Sequence, residues 1–323
     1  MTSISQSEPA DASIVTATVL VVFAGIGFGL VPFFAKSLTD AGMSPFAVSF
    51  YRYAIAAVVM LPTLRVAKGE AATVVWGMVT GLVIGIGWVG YAKAIETAPI
   101  STVGVLYMTY PVFTLLIGWA WFGENPSKRA FFAASLIILA ALVAMSPAAL
   151  SHEHLPALLL SLGAPIGLGF GINVLTHKLV RLSPLARLGS VSLGSVLGLS
   201  PLIALSDAAT VLPSSSGGWW LIIGIALVSA LVPQLIYSVY APVIGAARAS
   251  IAGSIELPTM LIVGWLVFSE QIGMSQWIAC ALVLAAILLT RARATRNVPL
   301  NITMPARNGA QRNGNGPDAG DNK

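Results

Sequence analysis

The chain has 323 residues, of which 57% are apolar and only 9% charged, where an ordinary soluble domain carries roughly 25% charged residues. So little charge cannot coat a water-facing surface, and a mean hydropathy of +0.87 places the chain in a bilayer. The net charge of +5 then reads as membrane topology rather than as a nucleic-acid surface, and the single cysteine, Cys280, excludes an intrachain disulfide.

Residues 1–13 contain no Lys or Arg and run straight into an apolar segment. This argues against a cleaved signal peptide with a basic start, and makes 1–13 a cytoplasmic tail before a retained span. Each crossing needs about 20 apolar residues. Apolar runs between charged or Gly/Pro/Ser breaks predict ten of them: 14–36, 45–66, 72–95, 98–122, 128–147, 154–177, 184–206, 218–240, 244–269 and 274–291. After Thr290 the composition turns to Arg, Asn, Gly and Pro, so 292–323 is expected to be a disordered basic cytoplasmic tail.

The distribution of Lys and Arg orients these spans. Arg65, Lys68, Lys128, Arg129, Lys178, Arg181, Arg187, Arg248 and six residues of the tail fall on one side, against Lys36 and Lys93 on the other. By the positive-inside rule both termini face the cytoplasm of a cell whose inner (plasma) membrane holds the chain.

The chain also repeats itself. Residues 25–36 (GIGFGLVPFFAK) align with 167–178 (GLGFGINVLTHK), and Gly118, Trp119 and Glu124 recur 146 residues later as Gly264, Trp265 and Glu270. The halves 14–147 and 154–291 hold five predicted helices each. Since five is odd, the second copy enters the membrane the opposite way round, which predicts an all-α integral membrane fold of two inverted five-helix repeats. That architecture provides two oppositely facing states around a site near the midplane.

Across 14–291 the sequence resembles the drug/metabolite transporter superfamily, specifically its ten-helix EamA-type members. The resemblance is carried by the aromatic-Gly pair of the first span followed by Lys36, by Pro45 and Arg52 in the second, and by Pro111 and Gly123-Glu124 in the fourth. In the second copy it is carried by Glu256-Leu257-Pro258, with Glu270 closing the ninth span. Departures are Phe28 where the family usually has Trp, Val191 where the proline spacing would place an arginine, and Ser269 before Glu270 where the first copy has Gly. The resemblance implies a carrier of small metabolites, mostly an exporter of amino acids and related compounds, with vitamin carriers among its members.

Ionisable side chains inside a span cost about 2.5 to 3.5 kcal/mol at a helix centre and usually face a cavity or a partner. Two qualify. Arg52, flanked by Tyr51 and Tyr53, either pairs with backbone carbonyls and snorkels or holds a substrate carboxylate. Glu256 precedes a proline that frees backbone one turn back, and it is either a hydrogen-bonded structural acid or the acceptor of a substrate ammonium or a coupling proton. Helical spacing puts Trp88 and Tyr91 on one face of the third span and Tyr107, Tyr110 and Thr114 on one face of the fourth. In the second copy the counterparts are Asn173, Gln234 beside Pro233, Tyr237, Ser250 and Ser254.

Glycines at Gly77, Gly81 and Gly85, at Gly163, Gly167 and Gly171, and at Gly194 and Gly198 are spaced for close helix contact. GIGFGL has no βαβ context, so it is not a dinucleotide loop. His152, Glu153 and His154 lack further ligands and read as a solvated turn rather than a metal site. Glu124 and Glu270 oppose the dipole at helix ends; Lys128 and Arg129 lie near the first, and no basic residue lies near the second. No HExxH, paired intramembrane acid or Walker motif occurs, which disfavours an enzyme or an ATP-driven pump. The expected function is a secondary transporter, most plausibly an amino-acid or related metabolite exporter working by alternating access without a cofactor. The alternatives are a riboflavin-like vitamin uptake carrier, a passive channel and a non-transporting membrane sensor. The expected partners are a small-molecule substrate, the lipid bilayer and a coupling proton, in a monomer or homodimer without nucleic acid.

Overall fold

The computed structural model describes residues 8–66, 69–144, 154–244, 252–253 and 255–289, without the side chains of 8–13, 66 and 241–242. Lys68, His152, Glu153, Arg248, Ser250, Ser254 and the tail lie outside them.

Among the described residues the regular structure is helical throughout. In chain order the helices are α1 (Glu8–Gly29), α2 (Val31–Asp40), α3 (Pro45–Val66), α4 (Ala71–Thr97), α5 (Ile100–Tyr107), α6 (Tyr110–Phe122) and α7 (Lys128–Ala144). There follow α8 (Leu155–Ser161), α9 (Gly163–His177), α10 (Pro184–Ala204), the single turn α11 (Ala208–Val211), α12 (Ser216–Ile223), α13 (Val232–Ile244), α14 (Glu256–Phe268) and α15 (Met274–Leu289). Between α12 and α13 the chain winds as a π-helix over Gly224–Leu231. Among the described residues seven stretches are long and apolar enough to cross a membrane: Ile14–Asp40, Pro45–Arg65, Ala71–Thr97, Ile100–Phe122, Leu155–His177, Pro184–Ala204 and Ser216–Tyr240. α14 and α15 are shorter apolar helices.

Several of these stretches are two helices end to end, which the hydropathy runs do not reveal. Proline lacks an N–H and clashes with the carbonyl one turn back, so it belongs in the first turn of a helix. Pro32, Pro111 and Pro156 each occupy that turn, in α2, α6 and α8. The chain therefore restarts at Leu30 and at Thr109. In the second copy the position aligned with Pro32 is Val174, and the interruption falls instead at Leu162, between α8 and α9.

Small residues set the helix contacts. α4 and α10 approach so closely that a Cβ on Gly81 would collide with the Val191 carbonyl, and one on Gly194 with Met78. Ser195 Oγ uses this proximity to donate a 2.6 Å hydrogen bond to the Gly81 carbonyl. Gly87 faces Gly163 in the same manner where α4 meets the α8–α9 junction.

Burial differs between the two ends of the molecule. At the end carrying Lys36, Thr97 and Glu270, Leu38, Tyr91, Ile95, Ile100, Leu257 and Met260 from α2, α4, α5 and α14 belong to one continuous core. Toward the end carrying Arg65, Phe122 and His177 the buried residues form separate small clusters. Ala17, Val21 and Ile244 join α1 to α13, while Val174, Leu179, Leu182 and Ala186 join α9 to α10. α5 packs on α14, whereas α6, which continues the same stretch, packs chiefly on α9.

α6 and α14 finish in the same turn. Gly123 (φ +68) and Ser269 (φ +55) are both left-handed, and the next backbone N–H, of Glu124 or Glu270, bonds at 3.0 Å to the carbonyl of Gly118 or Gly264. A left-handed non-glycine residue costs roughly 1–2 kcal/mol. Ser269→Gly is therefore expected to raise the thermal unfolding temperature, and Gly123→Ala to lower it; equal effects of one sign would contradict the matched turns. In the α4–α10 contact, overpacking should cost about 1 to 3 kcal/mol, so Gly194→Ala is expected to unfold several degrees below wild type while Gly217→Ala, whose Cβ would meet only Ser215 Oγ at an ordinary 3.7 Å, does not.

Candidate functional site

Five elements bring charge and aromatic rings together at mid-depth. α3 supplies Arg52 and Tyr53, and α4 supplies Trp88 and Tyr91, one helical turn apart on its buried face. Tyr107 ends α5 and Tyr110 begins α6, so the proline-linked break places both tyrosines at the junction. Glu256 is the first residue of α14, where the helix N-terminus favours a negative charge.

Arg52 is only 7% exposed, and its guanidinium carbon sits 3.8 Å from the centroid of the Trp88 ring and 5.8 Å from that of Tyr53. Trp88 in turn meets Tyr91 at 4.7 Å and Tyr107 at 5.2 Å, and Tyr107 meets Tyr110 at 6.0 Å, making one aromatic wall. The ring quadrupole stabilises the cation by about 2 kcal/mol when the pair is desolvated. It does not supply hydrogen-bond acceptors. Among the described residues Arg52 Nε and Nη1 are buried without a partner, as is the Tyr91 hydroxyl. A buried donor left unmet costs about 1–3 kcal/mol, more when charged, so these two guanidinium donors are held here at a cost.

Glu256 is a source of opposite charge that Arg52 acts on, and it does not close the gap. It acts electrostatically on Arg52 and on Tyr91, Tyr107, Tyr110 and Tyr237. Among the described residues, however, it forms no ion pair with Arg52 and its carboxylate accepts no hydrogen bond. Among the described residues the two charges therefore do not neutralise each other by contact.

Of the remaining sequence candidates, Tyr237 joins this neighbourhood, with its ring edge-on to Phe28 at 6.3 Å. Gln234 is exposed and carries no hydrogen bond among the described residues. Asn173 lies elsewhere. It is 1% exposed, and its amide nitrogen donates to the carbonyls of Thr114 and Gly169, both at 2.9 Å, tying α9 to α6. Ser254 lies outside the described residues.

Two helix-end carboxylates find partners that sequence neighbours do not indicate. Glu124 Oε1 lies 3.3 Å from His177 Nε2, rather than on Lys128 or Arg129. Glu270 accepts hydrogen bonds from the backbone N–H groups of Ile100 and Ser101, at the first turn of α5. That cap joins residues 170 apart in the chain, and no local pattern points to it. Tyr53 is legible in the sequence only as a neighbour of Arg52, and its ring centroid lies 5.8 Å from the guanidinium carbon. Among the described residues no group of three His, Cys, Asp or Glu side chains is placed to hold a metal ion.

Comparison with known proteins settles the family. The model of the EamA-like transporter family matches residues 15–146 and again 155–292, nearly the whole chain in two copies. The chain belongs to the EamA-like transporter family. Its members are membrane transporters of small molecules, and a multi-pass, all-helical protein of this composition fits that family. Sixteen chains of solved structures match it as well. One crystal structure, at 14% identity and a TM-score of 0.58, covers 85% of this chain and 96% of its own, and so shares the fold. No curated protein matches the chain.

The unmet donors of Arg52 lead to a stability test. Arg52→Met, similar in length and without donors, is expected to unfold at or above the wild-type temperature in detergent. A loss of several degrees would show that the guanidinium is tied into the fold by partners of its own.

Proposed function

We propose that this EamA-like transporter is a secondary exporter of amino acids or closely related zwitterionic metabolites. One observation carries the reading: a buried arginine, with two donors unmet among the described residues, lies on an aromatic wall and interacts electrostatically with Glu256, which forms no ion pair among those residues. A substrate carboxylate supplies the acceptor that Arg52 lacks, a substrate ammonium is the counterpart of Glu256, and Trp88, Tyr91, Tyr107 and Tyr110 cover the side chain. Tyr237, Gln234 and Ser254 belong to the second-copy side of the same cavity in this proposal. Asn173, with its amide nitrogen committed to the Thr114 carbonyl of α6 and the Gly169 carbonyl of α9, takes part by holding α9 in place.

The transport cycle we propose is alternating access between two five-helix repeats, 14–147 and 154–291, inserted in opposite senses as ten spans. The offset of 146 residues that relates the Gly123 and Ser269 turns supports the repeat, and the odd number of helices in each copy supports its inversion. With both termini cytoplasmic in the inner membrane, the Thr97 end is external and the Phe122 end cytoplasmic. The continuous core at the first end and the separated clusters at the second then correspond to a state closed outside and open inside. Glu256 is the group that exchanges a coupling proton as the substrate ammonium arrives and leaves. Neither step calls on a cofactor or a second subunit, so the transporting unit is one chain, alone or as a homodimer. The extent of the aromatic wall favours one second reading, uptake of a flat ring compound of the riboflavin type.

Counterflow in proteoliposomes tests this directly, with a panel of labelled amino acids and riboflavin at two pH values. The expected result is accumulation of at least one amino acid that responds to an imposed proton gradient. Glu256→Gln should remove that response while leaving folding intact. Flavin flux without amino-acid flux would transfer the reading to the vitamin carrier, and an unchanged pH profile in Glu256→Gln would remove the proton from Glu256.

A further inference from the structure

The contact between Glu270 and α5 is made by parts of different repeats at the Thr97 end. Glu270 follows α14, and its two carboxylate oxygens accept from Ile100 N and, at 3.1 Å, from Ser101 N. Those amides are unpaired by helix geometry, because the first turn of any helix has no carbonyl before it, and they carry the positive end of the α5 dipole. The carboxylate thus clamps the beginning of α5 to the end of α14. Beside it, Lys36 Nζ donates to the Ile95 carbonyl at 3.3 Å and stands 5.6 Å from the ring centroid of Phe268, the last residue of α14. α2, α4, α5 and α14 consequently meet at one point.

Glu124 provides the internal comparison. It stands in the same left-handed turn, with the same backbone bond and with its carboxylate folded over Gly118 as that of Glu270 is folded over Gly264. Yet among the described residues it caps no helix, and its partner is the side chain of His177. The turn therefore forms without the cap. It follows that the tie from Glu270 to α5 is an addition to a turn that is already stable, and it can be broken while the end of α14 stays folded.

We propose that Glu270 is the latch of the Thr97 end: its capture of the α5 N-terminus holds that end closed, and its release is the step that lets α5 part from α14. The proposal rests on the alternating-access reading, but its test requires no substrate, so the two can fail separately. α5 and α6 are halves of one stretch joined by the Met108–Thr109 break, so opening at α5 is accompanied by closing at α6.

Hydrogen–deuterium exchange of the full chain in lipid nanodiscs reads both halves at once. In Glu270→Gln, peptides spanning 98–107 are expected to exchange at least tenfold faster and peptides spanning 110–122 several-fold slower than in wild type. Glu270→Asp, which keeps the charge one methylene short, should move both segments the same way by a smaller factor. Faster exchange confined to the first turn of α5, with 110–122 unchanged in both variants, would reduce the contact to a local helix cap and overturn the latch. Unchanged exchange in both segments would overturn it too. If Glu270→Gln does not fold, Glu270→Asp alone decides between these outcomes.

Discussion

A guanidinium lying on an indole face at 3.8 Å, buried and short of two acceptors, sets the terms for the rest of this molecule. Lipid tails cannot supply what is missing, so among the described residues the cost of burying those donors falls on the protein. Apolar packing surrounds the site without relieving it: Trp88, Tyr91 and Tyr107 are almost wholly buried and offer faces and edges rather than carbonyls. A fold selected only for stability would place a methionine there. In the transport reading proposed above, the arginine is kept because it receives an anionic group at this point and later gives it up.

The helix breaks explain how a charged site can exist at that depth. Unpaired backbone is tolerated in a membrane only where protein or a cavity covers it, and the restarts at Thr109 and before Glu256 place fresh helix N-termini beside the aromatic wall. One of these ends presents Tyr110 and the other Glu256. The same breaks divide a long stretch into halves with different neighbours, α5 against α14 and α6 against α9. Dense contact at one end and separated clusters at the other are what such a division makes possible, because each half can exchange partners without unwinding the other.

Much of this was legible in the amino-acid sequence, for identifiable reasons. Hydropathy located the helices because the bilayer demands long apolar runs, and glycines at spacings of four marked the α4–α10 contact because only their absence of side chains permits it. Arg52, Trp88, Tyr91, Tyr107 and Tyr110 were recognisable as a charge and aromatics in unusual places, and they lie together. Other features depend on contacts far apart in the chain. Asn173 had the character of a cavity residue, yet whether an amide faces a cavity or a neighbouring carbonyl depends on how α9 is rotated against α6. Glu270 had no sequence neighbour to compensate it because its partner is backbone, and every sequence has the same backbone. The interruption at Leu162 was hidden for a related reason: the repeat aligns Pro32 with Val174, so the break moved along the helix without leaving a mark in the alignment.

The central claim, that Arg52 awaits the carboxylate of a transported molecule, is most directly tested by ligand-induced thermal stabilisation of the purified protein. Amino acids would be compared with their decarboxylated amines and with their amides, in wild type and in Arg52→Met. The account predicts that a carboxylate-bearing ligand raises the wild-type unfolding temperature, that its amine and amide analogues do not, and that Arg52→Met responds to none of them. Equal stabilisation by the acid and by its decarboxylated amine, undiminished in Arg52→Met, would contradict it.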